Sequence, residues 1–248
     1  MSSLDAEKVA SGIASWMRDI LEKSGARGFV VGVSGGVDSA TVLGLACRAA
    51  PDHVQALILP CESQPKDLED AAAVIERFGV PHCTVELTPV YRCFLEQLPA
   101  LKDVPGLVRA NLKPRLRMMA LYYFANALNY LVAGTGNRSE AVMGYCTKYG
   151  DGGVDLLPIG CLLKREVREL ARYLGVPERI ITKPPTAGLW PGQTDEAEMG
   201  ITYAVIDEFL LTGAATEDVA EKIRQRYRAS YHKRAVPPVP DRDRIGLA

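Results

Sequence analysis

The six residues Ser34-Gly35-Gly36-Val37-Asp38-Ser39 combine a phosphate-binding backbone with a carboxylate. Paired glycines allow a turn whose N–H groups converge on one point, and a helix that begins there adds partial positive charge. Asp38 would repel a phosphate unless a divalent cation lay between them, and Mg²⁺ commonly bridges phosphate oxygens to one or two carboxylates. The sequence therefore predicts a site for Mg·ATP.

Three other kinds of glycine turn fit this hexapeptide less well. A P-loop requires Gly, four residues and then Gly-Lys-Ser/Thr, and no Lys follows these glycines. A dinucleotide fingerprint requires Gly-x-Gly-x-x-Gly, which is a different spacing. A turn needed only for packing leaves the polar Ser34, Asp38 and Ser39 without a role.

A second glycine turn, Gly134 to Glu140, follows the apolar segment Tyr130 to Ala133. In open parallel sheets, ligands bind at the carboxyl ends of strands, near the point where the strand order reverses. Glu140 is therefore a candidate second carboxylate for the metal, and Thr135 is a candidate nucleotide contact. An ordinary turn in which Glu140 caps the next helix explains the same residues equally well.

Basic residues lie at the starts of two predicted helices. Arg115 and Arg117 fall in the first turn of a helix that we expect to begin at Pro114, and Lys164 begins another. The helix dipole disfavours cations there, which favours a ligand carboxylate or phosphate as the partner of these residues. Pairing with nearby Asp or Glu is the common alternative for surface arginines.

Two loops are candidates for lids over a ligand. Residues 147–155 are polar, charged and rich in glycine, and residues 183–193 contain prolines and Trp190. Long loops in compact domains are often functional, so we expect both to move when a ligand binds. An ordinary solvated connection and a rigid crossover are the alternatives.

The elements that would position these residues alternate between apolar strands and helices, as in an α/β fold with a doubly wound, mainly parallel sheet and helices on both faces. Apolar runs without alternation are typical of strands buried on both faces. From about 195 to 230 the sequence predicts a helical C-terminal part. The predicted strands are 28–33, 54–59, 83–87 and 130–133, and the other helices are 4–23, 40–50, 67–78, one from 114 onward, and 164–174.

Composition places the chain among soluble enzymes. Its 248 residues suit one α/β domain spanning 1–248, and 48% hydrophobic with 24% charged residues argues against disorder. A net charge of −1 gives no electrostatic case for nucleic acid. We see neither an apolar stretch near the ~20 residues that span a membrane nor a secretory signal, so we expect a cytoplasmic protein.

None of the six cysteines forms a Cys-x-x-Cys pair. We therefore expect reduced, mostly buried thiols and no cysteine metal site. The cysteines are Cys47, Cys61, Cys83, Cys93, Cys146 and Cys161.

The Ser-Gly-Gly-x-Asp-Ser loop resembles the signature of the ATP pyrophosphatases, which cleave ATP between its α- and β-phosphates. A longer series of segments, in this order and over nearly the whole chain, is similar to the ammonia-dependent NAD synthetases. This resemblance implies an adenine nucleotide alpha hydrolase-like fold, ATP-driven amidation of deamido-NAD to NAD with release of AMP and pyrophosphate, and a homodimer whose dinucleotide site crosses the subunit interface. The segments are 34–39, 111–118, 134–140, 147–158, 183–193 and 232–234.

The resemblance also implies roles for individual residues. Asp38 and Lys164 are implied to be catalytic, and Asp38 and Glu140 to bind Mg²⁺. Some family members carry Asp-His where this chain has Gly136-Asn137, so no contact is transferred there, and none is transferred to the variable residues 61–70. The implied deamido-NAD contacts are Arg115, Lys148, Asp155, His232 and Lys233, and the implied ATP contacts are Gly32, Val33, Ser34, Gly35, Gly36, Val37, Asp38, Ser39, Thr135, Lys164 and Thr186.

The implied reaction needs no side-chain nucleophile, and we see no Ser-His-Asp or Cys-His arrangement. Asp151 and Asp155 are candidates for taking a proton from ammonium. We expect the nitrogen source to be free ammonia rather than glutamine.

Two alternatives remain open at this stage. One is another amidating or thiolating ATP pyrophosphatase, such as a GMP synthetase-like or tRNA-modifying enzyme. The neutral charge disfavours the tRNA-modifying enzyme, and the lack of cysteine pairs disfavours a sulfur-transferring one. The other is a non-catalytic nucleotide sensor, which the presence of both Asp38 and Glu140 disfavours.

Overall fold

The computed structural model describes residues 4–190 and 192–245. Within them, a four-stranded parallel sheet has the strand order β3-β2-β1-β4. Its β1 strand therefore lies in the middle, with β2 on one side and β4 on the other. The strands are β1 (Gly28–Gly32), β2 (Val54–Ile58), β3 (His82–Thr84) and β4 (Tyr130–Val132).

Helices cover both faces of this sheet, so the predicted doubly wound α/β fold is confirmed. Gly79 adopts φ +65° at the end of α3, and its N–H donates to the carbonyl oxygen of Ile75, as is typical of a glycine that ends a helix. The α-helices are α1 (Ala6–Ser24), α2 (Val37–Ala49), α3 (Pro65–Phe78), α4 (Thr88–Gln97), α5 (Gly106–Ala110), α6 (Leu112–Leu128), α7 (Arg138–Met143), α8 (Lys164–Tyr173), α9 (Glu178–Ile181), α10 (Asp195–Met199), α11 (Tyr203–Thr212) and α12 (Glu217–Ala229).

Successive side chains of β1 pack into different cores. Phe29 and Val31 are fully buried in a core that includes residues of α1, α2, α3 and α8. Val30 is fully buried on the opposite face, in a core that includes residues of α4 and α6. A strand covered on both faces needs apolar residues at every position, which explains the unbroken apolar run in the sequence.

The third strand is shorter than predicted. It ends at Thr84, although the N–H groups of Val85 and Leu87 still donate to the carbonyl oxygens of Ile58 and Pro60. Pro60 has no N–H with which to extend the ladder. The pairing therefore continues beyond β3 without forming regular strand.

On α6, Met119 is 63% and Tyr123 is 72% exposed. One expectation about burial is wrong. The thiols are free but not mostly buried, because three of them lie on the exposed strand β3, on the surface of α4 and in a turn. Cys61 is buried, Cys47 and Cys146 are half-buried, and Cys83, Cys93 and Cys161 are exposed.

The strand order reverses next to β1, between its neighbours β2 and β4. Open α/β sheets bind ligands at the carboxyl ends of strands beside such a point. The loops after β1 and β4 are the two glycine turns that the sequence singled out. None of the helices in the part of the chain that the structure describes could cross a membrane.

Candidate functional site

The loop after β1 delivers an uncapped helix N-terminus to the end of the sheet. Gly35 has φ +79°, and a Cβ there would lie 2.4 Å from the carbonyl oxygen of Asp67, so only glycine fits this turn. Gly36 is the N-cap of α2, and no side chain among the described residues caps it. The N–H groups of the first turn are thus available to an anionic ligand.

Two serines fix the shape of this turn. The backbone N–H of Ser34 donates to Ser39 Oγ at 3.2 Å, and Ser39 Oγ donates to the carbonyl oxygen of Gly36 at 3.0 Å. These bonds use the hydroxyls within the turn and leave its backbone facing the end of the sheet.

Asp38, Glu140 and Lys164 converge from three different helix starts. Lys164 Nζ lies 3.1 Å from Glu140 Oε1, and it also donates to Asp38 Oδ2. Asn137 Nδ2 donates to Asp38 Oδ1 at 3.0 Å, while Glu140 Oε2 accepts from the Asn137 backbone N–H at 3.2 Å. Glu140 therefore caps α7 with one oxygen and faces Lys164 with the other, so the capping role leaves an oxygen for a cation, and the metal-binding role stays a prediction.

Burial and charge oppose each other in this cluster. Burial raises the pKa of Glu140, and the neighbouring charge of Lys164 lowers it in part. Burial alone would lower the pKa of Lys164, but the charges of Asp38 and Glu140 outweigh burial and raise that pKa. The Lys164 side chain, only 2% exposed, is therefore a buried ammonium between two carboxylates.

This donor set fits a divalent cation that brings further ligands of its own. One ammonium leaves two carboxylates with a negative charge in excess, and carboxylate oxygens are the ligands that Mg²⁺ prefers. Among the described residues, no group of three or more His, Cys, Asp or Glu side chains could hold a metal ion. Asp38 and Glu140 would therefore hold Mg²⁺ together with phosphate oxygens rather than as a complete protein site.

Two side chains behind the cluster, Tyr203 and Asp195, were not predicted from the sequence. Tyr203 is 2% exposed, and its hydroxyl lies 3.2 Å from Glu140 Oε1 and 2.9 Å from Asp195 Oδ2. Its ring centroid is 4.8 Å from Lys164 Nζ, a cation–π distance. The only sequence signal was the helical pattern of the C-terminal part, which does not distinguish a core tyrosine from one that orients a carboxylate.

A cavity of about 550 Å³ opens over the cluster. Its walls come from the α2 turn, the β4–α7 turn, α6 and both predicted lid loops. Of the predicted ATP contacts, Gly35 alone is absent from the lining, since it supports the turn from behind. The predicted site residues that line the cavity are Gly32, Val33, Ser34, Gly36, Val37, Asp38, Ser39, Thr135, Glu140, Lys164, Thr186 and Lys233.

The predicted deamido-NAD contacts are more dispersed. Lys233 lines the cavity, and its Nζ donates to the carbonyl oxygens of Gly144 and Cys146 at 2.8 and 2.7 Å. Arg115 Nη2 donates to the carbonyl oxygen of Lys148 at 3.3 Å, so these two residues adjoin each other, but neither lines the cavity. His232 is exposed and also lies outside the lining.

The two candidate proton acceptors have different environments. Both carboxylate oxygens of Asp155 are engaged, by the Tyr122 hydroxyl at 3.0 Å and the Val132 N–H at 2.7 Å. Asp151 lines the cavity, and its Oδ1 accepts from the Thr147 N–H at 2.8 Å. Of the two, Asp151 is the one that a small cavity ligand can reach.

Helix α6 begins at Leu112 rather than at Pro114, so Arg115 and Arg117 are its fourth and sixth residues and the prediction that both lie in its first turn is wrong. Both arginines are satisfied by neutral oxygens in the described structure. Arg117 lines the cavity, and it donates to the carbonyl oxygen of Leu59 at 3.0 Å and to Ser63 Oγ at 3.3 Å. Arg115 donates to the carbonyl oxygen of Asn111 at 3.4 Å. Their charges are therefore not neutralised by these bonds, as expected of residues that serve an anionic ligand.

Comparison with known proteins decides the family. The NAD synthase family model matches residues 9–237. The chain belongs to the NAD synthase family. A relative from Syntrophomonas wolfei subsp. wolfei, named NH(3)-dependent NAD(+) synthetase, is 48% identical over 240 residues, covering 95% of this chain and 96% of that protein. One of the same name from Carboxydothermus hydrogenoformans is 50% identical over 236 residues, covering 94% and 97%.

The NAD synthase fold is also matched at the level of structure. A solved structure of NMN synthetase from Francisella tularensis has a TM-score of 0.92 and 40% identity, and the match covers 96% of this chain and 100% of that one. Family membership confirms the resemblance inferred from the six segments. The roles of individual residues stay predictions, to which the geometry above adds support.

Proposed function

We propose that this protein catalyses the ATP-dependent amidation of deamido-NAD with ammonia, giving NAD, AMP and pyrophosphate through an adenylated intermediate. The observation that carries the proposal is the convergence of Asp38, Glu140 and Lys164 beside the uncapped N-terminus of α2. The two relatives at 48% and 50% identity, both named NH(3)-dependent NAD(+) synthetase, support this reaction.

The chemistry explains why these residue types meet. A carboxylate is a poor acyl donor, so its oxygen first attacks the α-phosphate of ATP and pyrophosphate leaves. Ammonia then attacks the acyl carbon and AMP leaves. Charge builds on the phosphates in the first step, where Lys164 and the N–H groups of the α2 turn can stabilise it.

Mg²⁺ and the substrates are assigned to residues as part of this proposal. When bound, Mg²⁺ neutralises charge on the leaving pyrophosphate, and Asp38 and Glu140 are the residues that would hold it. Thr135 and Thr186 face the ATP cavity. Lys233 would contact the nicotinate end of deamido-NAD, whereas Arg115, Lys148 and His232, outside the lining, would contact its distant part. Asp155 is exposed, but the Tyr122 hydroxyl and the Val132 N–H already engage both of its carboxylate oxygens.

The proposed reaction is tested by product analysis. The protein is incubated with Mg·ATP, ammonium chloride and either deamido-NAD or xanthosine monophosphate, and AMP, pyrophosphate and amide product are measured. We expect equal amounts of AMP and NAD with deamido-NAD and no turnover with xanthosine monophosphate. ATP binding without AMP formation would instead indicate a nucleotide sensor.

A second candidate substrate is nicotinate mononucleotide. The structural neighbour with a TM-score of 0.92 is named NMN synthetase, which makes the corresponding mononucleotide amide. Both substrates present the same nicotinate carboxylate to the cluster and differ in the adenylate half. The ratio of kcat/KM values for deamido-NAD and nicotinate mononucleotide decides between them, and we expect deamido-NAD to be preferred.

We propose that the protein acts as a homodimer through α4, α5 and α6. These neighbouring helices expose large apolar side chains, a concentration that is typical of an interaction surface. A second copy is the occupant that the resemblance implies, and Arg115 and Lys148 of the proposed substrate site lie on and beside α6. Sedimentation of Tyr123→Glu and Phe94→Glu, which we expect to be monomeric, against the wild type tests the assignment. The exposed apolar residues are Val90, Phe94, Leu98, Leu107, Val108, Met119 and Tyr123.

A cytoplasmic location and a single domain over 1–248 complete the proposal. All six cysteines are free, three of them at the surface, as is usual for proteins kept in a reducing compartment.

A further inference from the structure

A lysine outside the cavity is buried at the start of α6. Lys113 is 5% exposed, and its Nζ donates to the carbonyl oxygen of Leu189 at 2.8 Å. The same atom lies 3.1 Å from Glu62 Oε2 and 5.3 Å from the ring centroid of Tyr91. Lysine is almost never this buried unless its charge is paired and its hydrogens are used. Burying this ammonium is unfavourable unless its charge and hydrogens are satisfied, so the hydrogen bond to Leu189 indicates a specific structural role for Lys113.

Leu189 belongs to the segment that forms one wall of the cavity. Every residue from Lys183 to Leu189 lines it, including Thr186. The base of this segment is fixed, because Lys183 Nζ lies 2.7 Å from both Asp67 Oδ1 and Asp70 Oδ2. Near its far end, the Leu189 N–H donates to Gln193 Oε1 at 2.7 Å. The Lys113 bond joins this far end to α6 across the cavity wall.

We propose that Lys113 is a positioning residue that holds segment 183–190 closed over the nucleotide cavity. It does not line the cavity, so it acts through the Leu189 carbonyl rather than by touching substrate. Holding the segment closed places Thr186 against ATP and excludes water from the activated acyl group. The catalytic part of this inference rests on the proposed function, and the structural part does not.

Glu62 supplies the countercharge, and its described hydrogen bonds and ion pairs are to residues outside the segment. It follows β2 with φ +53°, its N–H donates to Thr88 Oγ1 at 2.9 Å, and Arg92 Nε pairs with its Oε1 at 3.2 Å. The ion pair and the Leu189 bond can therefore be removed separately. Glu62→Gln removes its ion pairs with Lys113 and Arg92 and leaves the Leu189 bond, whereas Lys113→Met removes both the Lys113 ion pair and the Leu189 bond and keeps an unbranched side chain of similar length.

The test compares these two variants with Lys8→Met, the same substitution at an exposed lysine of α1. Hydrogen exchange is measured on the ligand-free proteins at the Gly188 and Leu189 amides, which donate to Thr186 Oγ1 and Gln193 Oε1. A hydrogen bond from a charged donor corresponds to about a 10-fold change in an opening equilibrium. We expect exchange about 10-fold faster in Lys113→Met and unchanged in Glu62→Gln and Lys8→Met, with exchange in β1 the same in all.

Kinetics provide the second readout. We expect Lys113→Met to have a raised KM for ATP and to release more AMP than amide, because water reaches the adenylate. Lys113→Gln, which also loses the charge on a shorter side chain, is made in parallel and is judged by the same criteria if Lys113→Met does not fold. Equal exchange at Gly188 and Leu189 in the Lys113 variants and in Glu62→Gln would overturn the proposal, whether or not the enzyme turns over deamido-NAD. If hydrogen exchange at Gly188 and Leu189 is faster in Lys113→Met but AMP and amide are still released in equal amounts, the proposed role in excluding water would be overturned.

Discussion

Removing the Lys164 ammonium would leave Asp38 and Glu140 facing each other without their shared cation. Taking one partner from a buried ion pair typically costs about 3–5 kcal/mol. We expect a cost near the lower end of this range, because two hydrogen bonds to the carboxylates remain. These are the bonds from the Asn137 side-chain amide to Asp38 and from the Tyr203 hydroxyl to Glu140. We therefore expect Lys164→Met to lose about 3 kcal/mol of unfolding free energy at pH 8, or about 6–12 °C in Tm for a chain of this size.

The loss should depend on pH and on Mg²⁺. Burial raises the pKa of Glu140 above its value in the unfolded chain, and without Lys164 nothing in the pair opposes that rise. A raised folded-state pKa contributes stability below the unfolded pKa and loses it as the pH rises through the folded pKa. The deficit of Lys164→Met should thus be smaller at pH 5.5 than at pH 8. Mg²⁺ should restore more stability to the variant than to the wild type, because it replaces the missing cation.

Urea unfolding followed by circular dichroism, at both pH values and with and without MgCl2, measures these effects. Arg165→Met, on the solvent side of the same helix, is the matched control because its side chain is 38% exposed. An unfolding free energy within about 0.5 kcal/mol of the wild type at pH 8, the range of ordinary surface substitutions, would refute the reasoning. So would a deficit that is the same at both pH values.

Four further predictions concern the site and the surface. Asp38→Ala and Glu140→Ala should each lower kcat by at least about 10²-fold while remaining folded, as measured by NAD formation at saturating Mg²⁺ and by thermal unfolding; wild-type activity in either variant would remove that residue from the metal site. Segments 148–153 and 187–193, of which Pro191 lies outside the described residues, should gain hydrogen-exchange protection only when ATP and deamido-NAD are both present; unchanged protection would argue against lids. NAD formation with ammonium chloride should rise with pH as more ammonia becomes neutral, and ammonia-free glutamine should give none; comparable rates with glutamine would contradict the assignment. Burial raises the pKa of Cys47 to about 11, so at pH 8 its thiol should react with a disulfide reagent far more slowly than the three exposed cysteines; equal rates, read by mass spectrometry, would exclude this.

The central sheet and the two glycine turns could be predicted because local sequence determines them. Buried parallel strands need unbroken apolar runs, and Gly35 is required by a turn that leaves no room for a Cβ. Asp38 and Glu140 were predictable for the same reason, since each follows such a turn directly. Position at a predicted helix start singled out Lys164 and Arg115, and the resemblance to a family supplied the catalytic role of Lys164 and the other deamido-NAD contacts.

The rest of the site depends on contacts between residues far apart in the chain. Tyr203 reaches Glu140 across 63 positions, and Lys113 reaches Leu189 across 76, so no local spacing indicates either. Helical periodicity identifies an apolar face but not what covers it, so the exposure of Met119 and Tyr123 on α6 could not be predicted. The thiols were misplaced for a similar reason, since apolar neighbours in sequence do not ensure burial.

Helix α6 is a common wall between the cavity and the exposed apolar surface. Met118 lines the cavity while the next residue, Met119, faces solvent, and Leu121 and Tyr123 are divided in the same way. In the homodimer proposed above, a shift of α6 would change both the cavity and the subunit interface, so ligand affinity and self-association would be thermodynamically linked. By reciprocity, whatever factor association contributed to nucleotide affinity, the nucleotide would contribute to association. The apparent substrate affinity should accordingly change on dilution, in step with the dissociation of the proposed dimer.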